Sequence, residues 1–295
     1  MKAAAFDYRR PASLAEACAL LAEEPEARLI AGGQTLVPLM AMRLARPTRL
    51  IDIARLEELS FIRDEGEAVA IGAATRQCIL ERDPIVRTRV PLLDKVMPFV
   101  GHPPIRARGT IGGSLANADP AAEIGLVAVT LGAVIVHRTP STRAETPADR
   151  FFTAPMTTAL PPAGCLTCVR FPVWRAAQVG VGFHEVSARR GDFAFAAAAA
   201  QLALDADGIC RRLALGIGAV TAVPLRLDAV ARALEGTRID AAAAREAVGA
   251  ALADIEPLSD LHASAAYRRR VAISLAVRAI LDAEQRARAG GAHAH

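Results

Sequence analysis

Two pairs of adjacent glycines, each followed closely by polar residues, constrain this chain more than any other feature of its sequence. The first lies in AGGQTLVP (residues 31–38) and the second in TIGGSLANADP (residues 110–120). Glycine tolerates positive φ angles and lets the backbone approach a ligand closely, and consecutive N–H groups can then form a concave nest for an anion such as a pyrophosphate. Taken alone, each pair is more simply a tight turn between two elements, so both interpretations stay open at this point.

The chain is long enough for two domains, and its composition is that of a globular protein. It has 295 residues, of which 53% are hydrophobic and 22% charged, whereas only 4% are aromatic. The core must therefore be built from Ala, Val, Leu and Ile. The net charge of +4 is spread over single arginines or short groups, apart from residues 268–270. Because a nucleic-acid binder usually carries a basic stripe with interleaved aromatic residues, this distribution argues against nucleic-acid binding.

The cysteines and the hydropathy pattern lead us to expect a cytoplasmic protein. Five scattered cysteines, an odd number, are not a disulfide framework. The N-terminal sequence MKAAAFDYRRP has no apolar signal core, and no run of about 18 apolar residues is present for a transmembrane helix. Cys165 and Cys168 have the spacing of a redox or metal site, but no second pair completes it. We therefore expect two small buried hydrophobes here and no metal site.

The first segment of the chain predicts a small lobe of helix and strands over residues 1–55. Ser13 is a good N-cap and Glu16 stands at the capping-box position, so a helix is expected to begin immediately after Ser13. ARLIAGG (residues 27–33) and RLIDIA (residues 49–54) are short apolar runs that we expect as strands.

Residues 56–175 predict a second lobe of mixed elements. We expect a hairpin around residues 64–66, then helical segments interrupted by prolines, and then a helix that becomes a strand near residues 131–132. CLTCVRFPV is expected as an edge strand that ends at Pro172, because proline lacks the N–H that a central strand needs.

Residues 176–290 have a different pattern and predict a separate α+β domain. DFAFAAAAAQLALDADGICRRLALGIGAV (residues 192–220) contains an alanine run that would favour a helix by propensity alone. The turn signal at residues 205–208, with a matching apolar run beyond it, instead favours two long antiparallel strands. Three helices are expected to follow, over about 224–234, 239–253 and 264–287, and the boundary with the first domain is expected near 173–180.

The standard nucleotide-binding motifs are absent from the sequence. GVG (residues 180–182) and GIG (residues 216–218) each lack the third glycine of a Rossmann fingerprint, and no Gly-Lys dipeptide is present for a Walker A loop. A dinucleotide would therefore have to bind through another geometry.

The segments around the two glycine pairs carry a family resemblance. LIAGGQTLVPLMAMRLARPTRLIDI (residues 29–53) and HPPIRARGTIGGSLANADPAAE (residues 102–123) resemble the two flavin-binding segments of the FAD-binding medium subunit of molybdenum hydroxylases, the family of carbon monoxide dehydrogenase and xanthine dehydrogenase. YRRPASLAEACALL resembles the opening of that family, and FHEVSARRGDFA and VPLRLDAVARALEG resemble features of its C-terminal domain. The resemblance covers nearly the whole chain.

The resemblance implies an α+β fold with two domains. Residues 1–175 would form a two-lobed FAD-binding domain of the type of p-cresol methylhydroxylase (PCMH) and vanillyl-alcohol oxidase, with FAD held between the lobes 1–55 and 56–175. Residues 176–290 would form a C-terminal α+β domain with an antiparallel sheet and helices. The residues that would contact FAD are Leu29, Ile30, Ala31, Gly32, Gly33, Gln34, Thr35, Leu36, Val100, Thr110, Ile111, Gly112, Gly113, Ser114, Asp119, Glu123, Leu166 and His184.

The resemblance also implies the chain's role and partners. The chain would be an electron-transfer oxidoreductase subunit that receives electrons from the [2Fe-2S] clusters of a small subunit and passes them to an external acceptor. Substrate would be hydroxylated at a molybdopterin cofactor in a large subunit, and the assembly would be a dimer of heterotrimers, a heterohexamer. Since the flavin supplies the redox chemistry, we name no catalytic residue.

Several positions leave alternatives open. The family often has an aromatic residue and a lysine where this chain has Phe183, His184 and Glu185, and a histidine where it has Asn117. Asp119 could contact the ligand or cap the following helix, and His102 could line the site or close a turn. The other functions that we keep open are a free-standing FAD-dependent oxidoreductase of the same fold and a non-catalytic nucleotide-binding scaffold.

Overall fold

The computed structural model describes residues 2–292, and its first part is a small parallel sheet with two helices. Ser13 caps the first helix as predicted: its Oγ accepts a hydrogen bond from the Glu16 N–H at 3.2 Å. The Glu16 carboxylate reaches back to the N–H of Ala12, at 2.7 Å, and so holds the chain entering the helix. The elements are β1 (Asp7–Arg9), α1 (Leu14–Glu23), β2 (Arg28–Ile30), α2 (Leu36–Ala41) and β3 (Arg49–Asp52), with β3 between β1 and β2. The two expected strands and the expected helix are thus confirmed.

The second part is a five-stranded antiparallel sheet with short helices around it. The sheet order is β4-β5-β10-β6-β7. The predicted hairpin at residues 64–66 joins its first two strands, and Gly132 ends the predicted helix with a φ of 69° before the next strand starts. The elements are β4 (Ile62–Asp64), β5 (Ala68–Gly72), α3 (Gln77–Leu80), α4 (Pro84–Arg89), α5 (Pro91–Val96), α6 (Pro103–Arg106), α7 (Ile111–Asn117), α8 (Glu123–Leu131), β6 (Val134–Arg138), β7 (Arg143–Pro147), α9 (Ala148–Phe151), β8 (Phe152–Ala154), β9 (Thr157–Thr158) and β10 (Cys165–Pro172).

Strand β10 lies in the middle of its sheet, so the predicted edge position is wrong. It pairs with β5 on one side and with β6 on the other. Pro172 is tolerated because it is the last residue of the strand, and the ladder to β6 already ends at Arg170. At the other end Cys165 is fully buried against α1, next to Cys18, whereas Cys168 is partly exposed.

The third part is a four-stranded antiparallel sheet followed by three helices, as expected. The alanine run forms a strand, and Asp205 builds the predicted turn by accepting hydrogen bonds from the N–H groups of Asp207 and Ile209. The elements, in the sheet order β11-β12-β13-β14, are β11 (Gln178–Ser187), β12 (Ala194–Leu204), β13 (Cys210–Gly218), β14 (Leu225–Arg226), α10 (Asp228–Leu234), α11 (Ala241–Leu252) and α12 (Ala265–Ala292). Over residues 2–292, no helix is both long enough and apolar enough to cross a bilayer.

Small residues in this third sheet let a helix approach closely on each face. On one face, a Cβ added to Gly180 or Gly182 would lie only 1.9 or 2.0 Å from a carbonyl oxygen of α12. On the other face, a Cβ on Gly216 would lie 2.1 Å from the Thr130 hydroxyl of α8. The alanines of β12 are buried alternately against these two helices. Helix α8 is therefore part of the second region of the chain in sequence, but it packs directly on the third sheet.

Candidate functional site

The two glycine segments lie close together in the fold. A Cβ added to Gly32 would be 2.5 Å from the carbonyl oxygen of Arg108 and 2.8 Å from the Cα of Gly109. Only glycine allows this approach, because any side chain at residue 32 would push the two backbones apart. Arg108 and Gly109 directly precede the second glycine segment, so one site includes both segments.

The first segment forms the wall of a cleft of about 230 Å³. Strand β2 contains Leu29 and Ile30, the chain leaves it at Ala31, and α2 begins at Leu36. Gly33 has a φ of 69°, which favours glycine and turns the chain toward α2. Among the described residues, the backbone N–H groups of Gly33, Gln34 and Thr35 have no hydrogen-bond acceptor. The residues that line the cleft are Gly32, Gly33, Gln34, Val37, Pro38 and Arg108.

Arg108 adds a positive charge to this cleft, and the sequence analysis did not identify it. Its guanidinium forms no hydrogen bond or ion pair with residues 2–292, and the side chain is exposed. Its carbonyl oxygen accepts a hydrogen bond from the side chain of Arg76, which fixes the backbone beside Gly32. Free N–H groups and one unpaired cation are the donors that an anion such as a diphosphate requires. In the sequence, the feature that could have identified Arg108 is a basic residue two positions before the second glycine segment.

The second segment does not form a nest, and this part of the sequence prediction is wrong. Each backbone N–H from Ile111 to Ser114 already has a partner within the protein. The bonds are Ile111 N–H to Thr75 O (3.1 Å), Gly112 N–H to Ala73 O (2.9 Å), Gly113 N–H to Thr110 Oγ1 (3.0 Å) and Ser114 N–H to Thr110 O (3.1 Å). These N–H groups hold α7 against β5 and the turn that follows it. A ligand could therefore contact the side chains and the open surface of this segment, but not its backbone N–H groups.

The two glycines of the second segment have different roles. A Cβ on Gly112 would meet the Ala73 side chain at 2.5 Å and the Ala73 carbonyl oxygen at 2.7 Å, so this glycine is required for packing. A Cβ on Gly113 would meet only the Thr110 hydroxyl, at 2.8 Å, and the residue is exposed. Gly113 is therefore the position at which this segment leaves room for a ligand, and the half-buried Ser114 lies next to it.

Glu123, the first residue of α8, is a buried acid. Glu123 is only 8% exposed. Burial raises the pKa of its carboxyl to about 8, and the neighbouring charges of Glu185 and Asp119 add to this effect. Asp119 itself is occupied in a turn, where its carboxylate accepts a hydrogen bond from the Ala121 N–H at 2.9 Å. Ala122 is the N-cap of α8, so Asp119 shapes the turn before the helix and does not cap it.

Leu166 is held close to the second segment through the backbone. The Ala73 carbonyl oxygen binds Gly112, and the Ala73 N–H donates to the carbonyl oxygen of Thr167 at 2.8 Å. A register shift in β10 between Leu166 and Cys168 leaves Thr167 available for this bond.

Val100 is buried in the chain that leads to the second segment. Its carbonyl oxygen accepts a hydrogen bond from the Arg106 guanidinium at 3.1 Å, and Arg106 is paired with Glu81. His102 stands at the N-cap of α6, and its ring lies against Gly191 of the loop between β11 and β12. His102 thus packs at a turn, one of the two roles left open.

His184 pairs with the last helix, and no hydrogen bond within residues 2–292 joins it to either glycine segment. Its Nε2 lies 3.0 Å from Asp282 of α12, on one face of β11. Its neighbours Phe183 and Glu185 point to the opposite face, where Phe183 packs edge-on against Phe99 at 4.9 Å. The sequence alone does not say which face of a strand packs on which helix. It therefore could not show that Glu185, and not His184, lies on the face opposite α12.

A larger cleft of about 410 Å³ lies beside α1 and β1. Two arginines that line it, Arg9 and Arg49, are paired with acidic side chains, including Asp7 and Glu23. Its walls contain no glycine segment, so we regard the smaller cleft as the candidate site.

Comparison with known proteins identifies the relatives of this chain. Residues 4–174 match the family described as "FAD binding domain in molybdopterin dehydrogenase", and residues 182–283 match the "CO dehydrogenase flavoprotein C-terminal domain". The 6-hydroxypseudooxynicotine dehydrogenase complex subunit alpha of Paenarthrobacter nicotinovorans is 33% identical over 98% of this chain and 97% of its own length. The carbon monoxide dehydrogenase medium chain of Afipia carboxidovorans is 35% identical over 96% and 98%.

A solved structure agrees with this relationship. The structure of quinoline 2-oxidoreductase from Pseudomonas putida 86 superimposes with a TM-score of 0.92 and 36% identity, and it covers 97% of this chain and 99% of its own. This identity and coverage make the similarity one of sequence as well as of fold.

Proposed function

Because the chain belongs to the family of FAD-binding flavoprotein subunits of molybdopterin dehydrogenases, we propose that it binds FAD and transfers electrons within a multisubunit molybdenum hydroxylase. It accepts electrons from the [2Fe-2S] clusters of a small partner subunit and passes them to an external acceptor. Bound FAD supplies the redox chemistry, and the protein supplies its position and its electrostatic surroundings.

The names of the relatives support the part that concerns partners. Two relatives that align over almost their whole length are called a subunit of a complex and a medium chain. The three relatives named above carry the names of different substrates, although they share this chain's fold and length. We therefore propose that substrate binds in a large molybdopterin-containing subunit, and that the assembly is a dimer of heterotrimers.

The observation that carries the FAD proposal is the cleft between the first glycine segment and Arg108, which stands two residues before the second segment. Gly32, Gly33, Gln34 and Arg108 line this cleft, the N–H groups of Gly33, Gln34 and the adjoining Thr35 have no acceptor among the described residues, and the guanidinium of Arg108 is unpaired there. This donor set fits a diphosphate group without a lysine clamp. The residues of the second segment, with Glu123 and Leu166, would line the remainder of the site.

We also propose the domain boundaries predicted above, with an FAD-binding domain over 1–175 and a C-terminal domain over 176–290. The limits of the two family matches, 174 and 182, support this division. That all five cysteines are free thiols supports a reducing compartment such as the cytoplasm.

Expression of the chain with and without its neighbouring genes tests the proposal. We expect the purified protein to show a flavin absorbance spectrum and to release about one FAD per chain on denaturation, and tagged protein to bring down two partners, one with molybdopterin and one with iron–sulfur clusters. Substrate turnover by the isolated chain would favour a free-standing oxidoreductase instead. If no flavin is bound even in the complete complex, the chain is a scaffold and the proposal is wrong.

A further inference from the structure

Glu185 lies on the face of the third sheet that packs on helices α5 and α8, and the pairing of the strands determines this. Glu185 stands opposite Ala197 of β12, which stands opposite Gly218 of β13, so all three lie on one face of the sheet. A Cβ on Gly218 would be 3.2 Å from the Leu126 side chain of α8. Because the glycine and the alanine are small, no long side chain of β12 or β13 stands beside Glu185 at this register.

Glu123 lies one helical turn beyond that contact. Residues 130, 126 and 123 are four and three positions apart, so they share one face of α8. Gly216 packs on Thr130 and Gly218 on Leu126, and the row continues toward Glu123 at the start of the helix. The N–H of Ala219 donates to the carbonyl oxygen of Pro120 at 2.8 Å, which holds the start of α8 against this sheet.

The surroundings contain few charges that could neutralise two acids. Oε2 of Glu185 is buried and has no hydrogen-bond partner within residues 2–292. Arg190, in the loop after β11, is a cation that favours ionised Glu185, and Asp119 adds a further negative charge beside Glu123. Helix α5, which also packs on β11, carries Asp94 and Lys95, and the charges that act on Lys95 are those of Arg286 and Asp282 of α12. Phe99 and Phe183 make the adjoining surface apolar. Burial raises the pKa of Glu185 to about 7, and that of Glu123 is raised to about 8.

We propose that Glu185 is a second acidic residue of the cofactor site, coupled to Glu123 by like-charge repulsion, so that the pair holds one proton and presents one carboxylic acid and one carboxylate to a neutral hydrogen-bonding group of FAD, such as a hydroxyl or an imide. The inference rests on the proposed FAD binding. It explains why a carboxyl oxygen is buried without a partner, because a ligand group between α8 and β11 would supply one.

The proposal makes FAD affinity depend on pH through this pair. When both carboxyls are ionised, two negative charges face the same apolar space, and binding must first restore one proton. Above the range in which the pair loses that proton, affinity falls by up to about tenfold per pH unit. Asp119 strengthens this dependence because it is a like charge, and Arg190 weakens it because it favours ionised Glu185.

The test is a titration of the flavin-free full chain with FAD, followed by flavin fluorescence, at pH values from 6 to 9. For the unaltered chain we expect Kd to rise by about ten- to a hundredfold between pH 7 and 9. E185Q, which keeps the shape of the side chain, should bind within about threefold of the unaltered chain at pH 6 and lose most of the rise. E145Q is the matched control, because Glu145 is an exposed acid of β7 and its replacement changes the net charge equally.

A second variant and a double variant make the result specific to the pair. E123Q should flatten the profile as E185Q does, and the double variant should add nothing further, since the pair holds one proton. Circular dichroism and thermal unfolding establish that each variant is folded. A pH profile of E185Q that coincides with that of E145Q would overturn the inference. If the unaltered chain binds no FAD at any pH, the proposed function itself has failed, which is a different result.

Discussion

Replacement of Arg108 by glutamine should weaken FAD binding without weakening the fold. Arg108 lines the cleft together with Gly32 and Gly33, and its guanidinium makes no ion pair in the described part of the chain. Folding therefore gains nothing from this charge, whereas a diphosphate would lose a charge-assisted contact. Such a contact contributes about 1.5 to 3 kcal/mol, which corresponds to an increase in Kd of about 10- to 150-fold.

The salt dependence of binding gives the magnitude an independent check. Because exposed charges are screened over about 10 Å at 0.1 M ionic strength, the affinity of the unaltered chain should fall as salt is added, and that of R108Q should fall less. R108K should recover part of the loss, since it restores the charge but not the planar fork of donors.

The assay is isothermal titration of flavin-free protein with FAD at two salt concentrations. R87Q is the matched control, because Arg87 is an exposed arginine of α4 that does not line the cleft. We expect R87Q to bind like the unaltered chain. If R108Q binds FAD within about twofold of R87Q at low salt, the cleft does not hold the diphosphate and the reasoning from its donors is refuted.

Three further predictions follow from the packing and from the buried acid. Gly112→Ala should destabilise the fold by about 1–3 kcal/mol, because its Cβ would overlap Ala73. Gly113→Ala should change the free energy of unfolding by no more than about 1 kcal/mol but should lose FAD binding. Equal losses of stability for the two variants in urea unfolding would contradict these different roles. Arg268→Ala should cost about 3 kcal/mol in the same assay, because buried Arg268 donates to two backbone carbonyl oxygens, and Arg270→Ala, which removes an exposed neighbour, should cost little. The raised pKa of Glu123, about 8 when folded, means that its contribution to stability is full below its ordinary value of 4.5 and is lost as pH rises to 8. Between pH 5.5 and 7.5 the free energy of unfolding of Glu123→Gln should therefore fall less than that of the unaltered chain, by up to about 1.4 kcal/mol per pH unit. If urea unfolding shows the same fall with pH for both proteins, the acid is not buried in solution.

The features that the sequence predicted correctly are those whose causes are local. The cap at Ser13, the turn at residues 205–208 and the glycine at residue 132 each act within a few residues of the chain. The alanine run became a strand because the turn after it and the apolar run beyond it outweighed alanine's helix propensity. Close packing on α8 and α12 then favoured small side chains there.

The features that the sequence did not predict depend on distant partners. Strand β10 is central because β5 and β6 pair with it from about 100 and 30 residues away along the chain. The N–H groups of Ile111 and Gly112 are occupied by carbonyl oxygens of Thr75 and Ala73, which no local pattern reveals. In the same way, the strand alternation separates His184 from Glu185, but only the packed helices determine which of the two faces α8.

The contact between the third sheet and its two helices changes how this protein can be mapped by mutation. At Gly180, Gly182 and Gly216 the backbone itself meets the neighbouring helix, and β12 consists largely of alanine. Alanine scanning, which identifies residues by what is lost when a side chain is shortened, cannot report on alanines and finds no side chain to shorten at the glycines. Loss of function in this region should instead come from added atoms, even single methyl groups, because an overfilled interface must shift a whole helix. A scan of small-to-large substitutions is therefore the experiment that would show the importance of this interface.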